Sequence, residues 1–218
     1  MTARVVLKWP DPKLLKKSES ITGFDDYLKS LAEDLYHTMI SSFGAGIAAP
    51  QVGIHKNLCV IAASYVPSLA PEEFNGITDC VVLVNPCLEP IDNEVFIWDE
   101  ACLSVPGIQA SVSRHKSVRL KYQNLSGEYC ETLLTDIESA TVQHEIDHLD
   151  GKLFIHRLKG ASRMIAMKKL RKTILGERKK RTNKNVPEAT GKISEQKRLA
   201  LRKKRKSRKK TTKPKRRK

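Results

Sequence analysis

The sequence has no hydrophobic run long enough to cross a membrane and no sign of a disulfide framework. Its longest apolar stretches, such as residues 81–84, end within a few residues, whereas a membrane span takes about 20. The five cysteines are odd in number and include no C-x-x-C pair. The N-terminus also lacks the apolar core of a secretion signal. We therefore expect a cytoplasmic protein with reduced thiols.

Aromatic residues are absent beyond residue 176, where the composition changes abruptly. Residues 177–218 contain 21 basic and 3 acidic side chains and carry +18, whereas residues 1–176 contain 19 basic and 21 acidic ones and carry −2. A segment with this much charge buries too little apolar surface to offset the conformational entropy that its chain would lose on folding. The sequence predicts a folded domain over 1–176 and a disordered basic tail over 177–218.

Hydrophobic periodicity predicts both helices and strands in the folded part. An amphipathic helix is indicated near the N-terminus by apolar residues spaced three and four apart, namely Phe24, Leu28, Leu31, Leu35 and Met39. Short β-branched runs at 58–63 and 81–84 predict strands, and alternation over 118–122 and 129–133 predicts a hairpin.

A second helical period begins near Asp136, with Asp136 or Ser139 as its N-cap and Gly151 at its end. A last helix is predicted over 161–175. Together these elements predict an α+β fold, with small mixed or antiparallel sheets packed around the central helix.

The central helix carries the strongest chemical pattern, His144-Glu145-Ile146-Asp147-His148. Histidines four apart project from one helix face and can bind one metal ion, while the adjacent carboxylate can reach the water on that ion.

A catalytic metal site needs a third protein ligand. Another histidine six residues after His148 is excluded, because Phe154 stands there. Downstream acidic residues stay possible, but Cys102 is the better candidate, in a stretch before Pro106-Gly107 that we interpret as a loop. A thiolate with two imidazoles suits Zn²⁺ or Fe²⁺.

Three ordered stretches resemble the motifs of the peptide deformylases: residues 44–51 (GAGIAAPQ), 100–104 (EACLS) and 143–148 (QHEIDH). Residues 7–12 (LKWPDP) are similar to the opening of that family, and the resemblance extends roughly from residue 4 to 170. It implies a hydrolase that removes the N-formyl group from the N-terminal methionine of nascent polypeptides and releases formate.

The resemblance also implies a metal site and a proton carrier. Cys102, His144 and His148 would hold the ion, usually Fe²⁺, with Zn²⁺, Ni²⁺ or Co²⁺ as substitutes. Glu145 would act first as general base and then as general acid.

Other residues would bind the reacting group and the peptide. The backbone N–H of Leu103 and the side-chain amide of Gln51 would stabilise the developing oxyanion. The backbone around Ala45 and Gly46 would pair with the substrate peptide, and glycine there would permit close approach.

Two positions depart from the family pattern. Ala101 stands where glycine is usual, so a positive φ there would cause strain. Gln109 stands near a position that is often basic. The remaining histidines, His37, His55, His115 and His156, have no partners at ligand spacing, and we interpret them as structural or surface residues.

Two other functions stay open at this point. An H-E-x-x-H endopeptidase would cleave inside peptides and would not need Cys102. A catalytically weak deformylase-like protein would act mainly as an RNA-binding module through its tail. The resemblance implies that the tail docks on ribosomal RNA near emerging chains, and its lack of aromatic residues predicts salt-dependent binding with little sequence preference.

Overall fold

The computed structural model describes residues 3–71 and 73–184, which form seven strands and four α-helices. The strands are β1 (Gly46–Ala48), β2 (Leu58–Ala62), β3 (Cys80–Pro90), β4 (Val95–Cys102), β5 (Val105–His115), β6 (Ser117–Gln123) and β7 (Tyr129–Thr135). The helices are α1 (Asp26–Ser41), α2 (Asp136–Leu149), α3 (Phe154–Arg157) and α4 (Gly160–Lys184). This arrangement confirms the predicted α+β class.

Five of the strands form one antiparallel sheet in the order β1-β2-β3-β6-β7, and β4 and β5 form a separate hairpin. The predicted strands and hairpin of the larger sheet are all present, with β3 extending well beyond 84 to Pro90. In the described part of the chain, β1 pairs only with β2 and β4 only with β5. Each of these two strands therefore has one open edge.

Helix α1 covers one face of the larger sheet. Asp25 caps it by accepting a hydrogen bond from the N–H of Leu28. Its buried Leu35 and Met39 belong to the same core cluster as Leu58 and Val60 of β2. Each such side chain contributes roughly 1.5–3 kcal/mol when fully buried.

Helix α2 packs in a second core cluster with the residues of β2 that alternate with those facing α1. Val142 and Leu149 belong to this cluster together with Cys59 and Ile61 of β2. Because successive strand residues point to opposite faces, the sheet lies between α1 and α2. This packing fixes the helix that carries His144, Glu145 and His148.

The start of α2 differs from the prediction, whereas its end agrees with it. Asp136 is the first helical residue, with φ +50°, and it does not cap the helix. The hydroxyl of Ser139 instead donates to the carbonyl of His115 at 2.8 Å. Gly151 follows the helix with φ +69°, and a Cβ there would lie 2.5 Å from the carbonyl oxygen of Leu15. Glycine is therefore required at that end.

The interpretation of the segment around Cys102 as a loop is wrong. Cys102 is the last residue of β4, and Pro106 and Gly107 lie inside β5. The hairpin turn consists only of residues 103 and 104. The segment after the turn is a strand because Val105 and Ile108 are buried in a third core cluster, which α3 and α4 complete.

Helix α4 begins at Gly160 and continues to Lys184, beyond the predicted end at residue 175. Ala166 and Leu170 bury its first part in the third core cluster. Residues 177–184 of the predicted tail continue this helix, and the rest of that tail lies outside the described residues. Among the helices described, none combines the length and apolar character needed to cross a bilayer.

Candidate metal centre

Helix α2 and the end of β4 bring Cys102, His144 and His148 together. One ligand atom from each lies within 4.8 Å of the other two. The Cys102 Sγ is 3.2 Å from the His148 Nε2. The histidines are one helical turn apart, and the β4–β5 hairpin supplies the sulfur. These three side chains can hold one metal ion.

The electrostatics of the site favour a thiolate at Cys102. Burial by itself would raise the pKa of the thiol, but the charges and hydrogen bonds of His148 and His144 outweigh it. They hold the pKa well below the usual value of 9.0. The thiolate is the form of cysteine that binds metals, so the sulfur is prepared for a cation.

A buried carboxylate orients His144. The His144 Nδ1 lies 2.7 Å from the Glu100 Oε2, which leaves the Nε2 free to face the sulfur and the second imidazole. Metal-binding histidines commonly give their other ring N–H to a carboxylate in this way. Glu100 and Cys102 lie two apart on β4, and therefore on one face of the strand.

Two arginines hold the carboxylates around the site. The fully buried guanidinium of Arg114 donates to Glu100 at 2.6 and 2.9 Å and to Asp147 at 2.6 Å. Arg157 also donates to Asp147. Burial alone would raise the pKa of Asp147, but Arg157 and Arg114 lower it below the usual 3.8. The sequence analysis assigned no role to these four residues.

Glu145 lies in the same cleft, a space of about 440 Å³ that Gly46, Cys102 and His144 also line. Its side chain is buried, and the Oε2 has no hydrogen-bond partner among the described residues. Burial raises the pKa of this carboxyl group above its usual value of 4.5. A buried carboxylate without a partner is costly unless a ligand or proton completes it.

Gln51 points its amide group into this site from a short 3₁₀ turn, Ala49–Val52. Its Oε1 accepts from the N–H of Ala48 at 2.8 Å. Its Nε2 therefore faces the opposite way, donates to the Ser104 Oγ at 3.1 Å and lies 3.7 Å from the Cys102 Sγ. Leu103 lines the same cleft.

The N-terminal segment holds the two halves of the cleft together. The N–H of Leu7 donates to the carbonyl of Gln51 at 2.7 Å. The Nζ of Lys8 donates to the carbonyl of Leu103 at 2.5 Å. The LKWPDP segment thus contacts both predicted oxyanion-binding residues, a role that the sequence alone does not reveal.

Gly46 presents its backbone at the open edge of β1. It pairs with Ile61, while the N–H of Ala62 donates to the carbonyl of Ala45 at 2.9 Å. In an antiparallel ladder this makes Gly46 a non-hydrogen-bonded position whose own N–H and C=O point away from β2. Ala45 and Gly46 both line the cleft.

The expected strain at Ala101 is absent. Among the described residues other than glycine, a positive φ occurs at Phe43, Asn75, Asn85 and Asp136, so Ala101 keeps ordinary strand geometry. It pairs with Gln109 across the β4–β5 hairpin. Alanine is accommodated there because the exposed methyl group lies at the open cleft rather than in the core.

The other histidines lie outside the candidate metal site, since among the described residues only Cys102, His144 and His148 form a group that could hold an ion. His55 Nε2 lies 2.9 Å from the Lys13 carbonyl oxygen, and His37 Nε2 lies 3.8 Å from a Glu33 oxygen.

The model of the polypeptide deformylase family matches residues 3–164. The chain belongs to the peptide deformylase family.

Relatives and solved structures agree with this assignment. A peptide deformylase of Acidobacterium capsulatum is 39% identical over 173 residues, which cover 79% of this chain and 96% of that protein. The crystal structure of a peptide deformylase from Legionella pneumophila matches with a TM-score of 0.68 and 32% identity, over 85% of this chain and 100% of that one. A plant peptide deformylase structure matches with a TM-score of 0.71 and 31% identity, over 83% of this chain and 94% of that one.

Family membership establishes the activity. The protein is a metal-dependent hydrolase that removes the N-formyl group from the N-terminal methionine of nascent polypeptides. The comparisons do not favour the endopeptidase or the catalytically weak RNA-binding interpretation.

Proposed function

We propose that Cys102, His144 and His148 hold the catalytic metal and that Glu145 carries the proton in deformylation. One observation carries this proposal: a low-pKa thiol, two imidazoles and a buried carboxylate with one unpartnered oxygen meet in one cleft. These groups fit a divalent cation, because a thiolate with two neutral imidazoles is a common donor set for Zn²⁺ and Fe²⁺.

Glu145 moves the proton in the proposed reaction. A divalent cation held by Cys102, His144 and His148 would supply Lewis acidity, since it would lower the pKa of water towards about 7 and polarise the formyl oxygen. Glu145 takes the proton of the attacking water and delivers it to the departing methionine nitrogen. Its raised pKa suits both steps, since a proton carrier works best when its pKa approaches the operating pH.

Gln51 and Leu103 are proposed to stabilise the negative charge that develops on the formyl oxygen. The fold fixes the Gln51 amide through Ala48, so its N–H groups face the site before substrate arrives. The backbone N–H of Leu103 is the second proposed donor. Donors placed in advance need no reorganisation during the reaction, and losing one typically costs about 10²–10³ in rate.

The peptide is proposed to bind as an added strand at Ala45 and Gly46. The outward N–H and C=O of Gly46 provide the hydrogen-bonding groups that strand addition needs. This placement brings the peptide next to Glu145, because a Cβ on Gly46 would lie only 2.6 Å from the Glu145 Oε1.

We propose Fe²⁺ as the native metal, with Zn²⁺, Ni²⁺ or Co²⁺ able to replace it. The proposal rests on the mixed sulfur and nitrogen donor set and on the resemblance to the family. Metal analysis of protein purified without oxygen should find iron in about one equivalent per chain. Zinc in both aerobic and anaerobic preparations would contradict the choice of iron.

Formate release from a formyl-methionine peptide tests the residue roles. Glu145→Gln keeps the shape of the side chain but cannot accept the proton, so turnover should fall by about 10²–10⁴ with metal content unchanged. Cys102→Ala should lose both metal and formate release. Unchanged turnover in Glu145→Gln would remove the general-base role, and internal peptide cleavage that survives Cys102→Ala would indicate an endopeptidase.

We further propose that the basic tail, residues 177–218, binds ribosomal RNA and keeps the enzyme near emerging chains in the cytoplasm. Its charge of +18 without aromatic residues supports binding to phosphates rather than to bases.

Truncation after Lys184 keeps the whole of α4 and tests this second proposal. Formate release from a short peptide should be unchanged, while co-sedimentation with ribosomes should fall. The full chain should lose affinity steeply with added salt, with a log–log slope of about 0.7–0.9 per phosphate contact. A flat salt response would contradict phosphate binding.

A further inference from the structure

A second cleft, of about 450 Å³, shares no lining residue with the catalytic one. It lies between the β4–β5 hairpin, Gln143 of α2 and the segment around α3. Its lining contains six basic or imidazole side chains: Arg114, His115, Lys152, His156, Arg157 and Lys159. None of the described residues that line it is acidic. Such a surface favours an anion.

At the floor of this basic cleft, the arginine side chains are held in place by ion pairs with buried carboxylates. Asp147 lies beneath it and accepts hydrogen bonds from both Arg114 and Arg157. Glu100 takes the remaining bonds of Arg114. With the residues that the structure describes, Arg157 forms side-chain hydrogen bonds only through its Nε and Nη2. Its Nη1 therefore remains able to donate to a ligand.

The rim adds the positive charges of Lys152 and Lys159, and only Lys152 has an acidic partner among the described residues. Lys159 is exposed and takes part in no ion pair with the described residues. Lys152 contacts Asp150 at 3.1 Å, an exposed pair that solvent screens. A ligand in the cleft can thus bind an ammonium group without breaking a buried ion pair.

Two imidazoles complete the set of polar groups. The His156 Nδ1 accepts a hydrogen bond from the N–H of Leu153 at 3.0 Å, so a neutral ring carries its proton on Nε2 and can donate. The Nδ1 of His115 is buried and has no hydrogen-bond partner among the described residues. Buried polar atoms normally have a partner, and a bound ligand is one way to provide it.

We propose that this basic cleft binds a phosphate dianion, as inorganic phosphate or as the phosphate group of a phosphomonoester. Phosphate offers several acceptor oxygens to N–H donors that converge from different sides, and charge-assisted hydrogen bonds of this kind are the strong ones. The volume lies within the range of small-molecule sites. It leaves room for an organic substituent on the phosphate.

Imidazole NMR of the full-length, Zn²⁺-loaded protein tests this proposal, because the chain contains only six histidines. Inorganic phosphate is titrated at constant ionic strength against sodium chloride. The resonances of His115 and His156 should shift along a saturable curve, whereas those of His37 and His55 should not. Phenyl phosphate is titrated in parallel, and tighter binding than inorganic phosphate would identify a phosphomonoester as the ligand.

Two substitutions separate the cleft from the basic tail. Lys159→Gln should weaken the phosphate affinity reported by His156 about tenfold or more, the effect of losing a hydrogen bond to a charged group. The control is Lys121→Gln, an exposed lysine paired with Glu89 outside the cleft, which should leave the affinity unchanged. Shifts that do not saturate, or equal affinities in both variants, would overturn the proposal and place the phosphate on the tail.

Discussion

Replacing Gly46 by alanine tests whether the Glu145 carboxylate must stay where the fold holds it. A Cβ at this position would lie 2.6 Å from the Glu145 Oε1 and 2.8 Å from its Cδ. Ordinary carbon–carbon contacts are about 3.5–4.0 Å, so the carboxylate has to move by roughly 1 Å. Gly46 has no positive φ, and the alanine backbone is therefore unstrained. The three atoms nearest to the added Cβ all belong to the Glu145 side chain.

A displacement of this size predicts a large loss of activity in Gly46→Ala. Misplacing a reacting group by 1 Å can cost about 10²-fold in rate. We expect kcat for formate release to fall by about 10², with metal content unchanged. Gly44→Ala is the matched control, because its Cβ would lie 2.9 Å from the terminal methyl group of Leu103, which can shift, and 3.3 Å from the carbonyl oxygen of Gly46. This variant should therefore lose less activity. A kcat for Gly46→Ala within threefold of the parent would refute the reasoning.

Three further predictions concern the oxyanion donor and the buried ion pairs. Gln51→Ala should lower kcat by about 10²–10³ in the formate assay with metal content retained, since one preplaced donor is lost; a change in KM alone would contradict this role. Arg114→Met removes the positive charge that compensates the buried carboxylates of Glu100 and Asp147 and should lower the free energy of unfolding by about 3–5 kcal/mol. An unchanged midpoint of urea unfolding would contradict this prediction. Because the pKa values of Glu100 and Asp147 are lowered from 4.5 and 3.8, the unfolded chain binds more protons. The stabilisation that these two carboxylates provide should therefore be present above pH values of 4.5 and 3.8 and lost as the pH falls below them. The free energy of unfolding should fall less steeply with decreasing pH in Arg114→Met, and equal slopes for the two proteins would argue against the pairing.

The local patterns of the sequence were sufficient for α1 and for most of α2, and they identified the three side chains that the fold brings together as a candidate metal site. Spacings of three and four between Phe24 and Met39 identify α1 because one face of a surface helix must be apolar. Histidines four apart on α2 share a face for the same geometrical reason. Cys102 could be named as a candidate third ligand from its residue type and neighbours, although β4 itself was missed.

The carboxylate and arginine network could not be found in this way. Arg114 contacts Glu100 and Asp147 across separations of 14 and 33 residues, so no local period links them. The β4–β5 hairpin was missed because exposed Ile97 and Val95 interrupt the usual alternation of polar and apolar residues. Helix α4 passes Gly176 because one glycine costs only about 1 kcal/mol in a helix of otherwise favourable residues.

X-ray absorption spectroscopy of the metal-loaded protein shows whether one sulfur and two nitrogens hold a single ion. We expect one metal per chain with one sulfur ligand at about 2.3 Å and two nitrogen ligands at about 2.0–2.1 Å when the metal is zinc. Cys102→Ala should bind little metal, and any metal that it retains should show no sulfur scattering. A metal shell without sulfur in the parent protein would show that Cys102 is not a ligand.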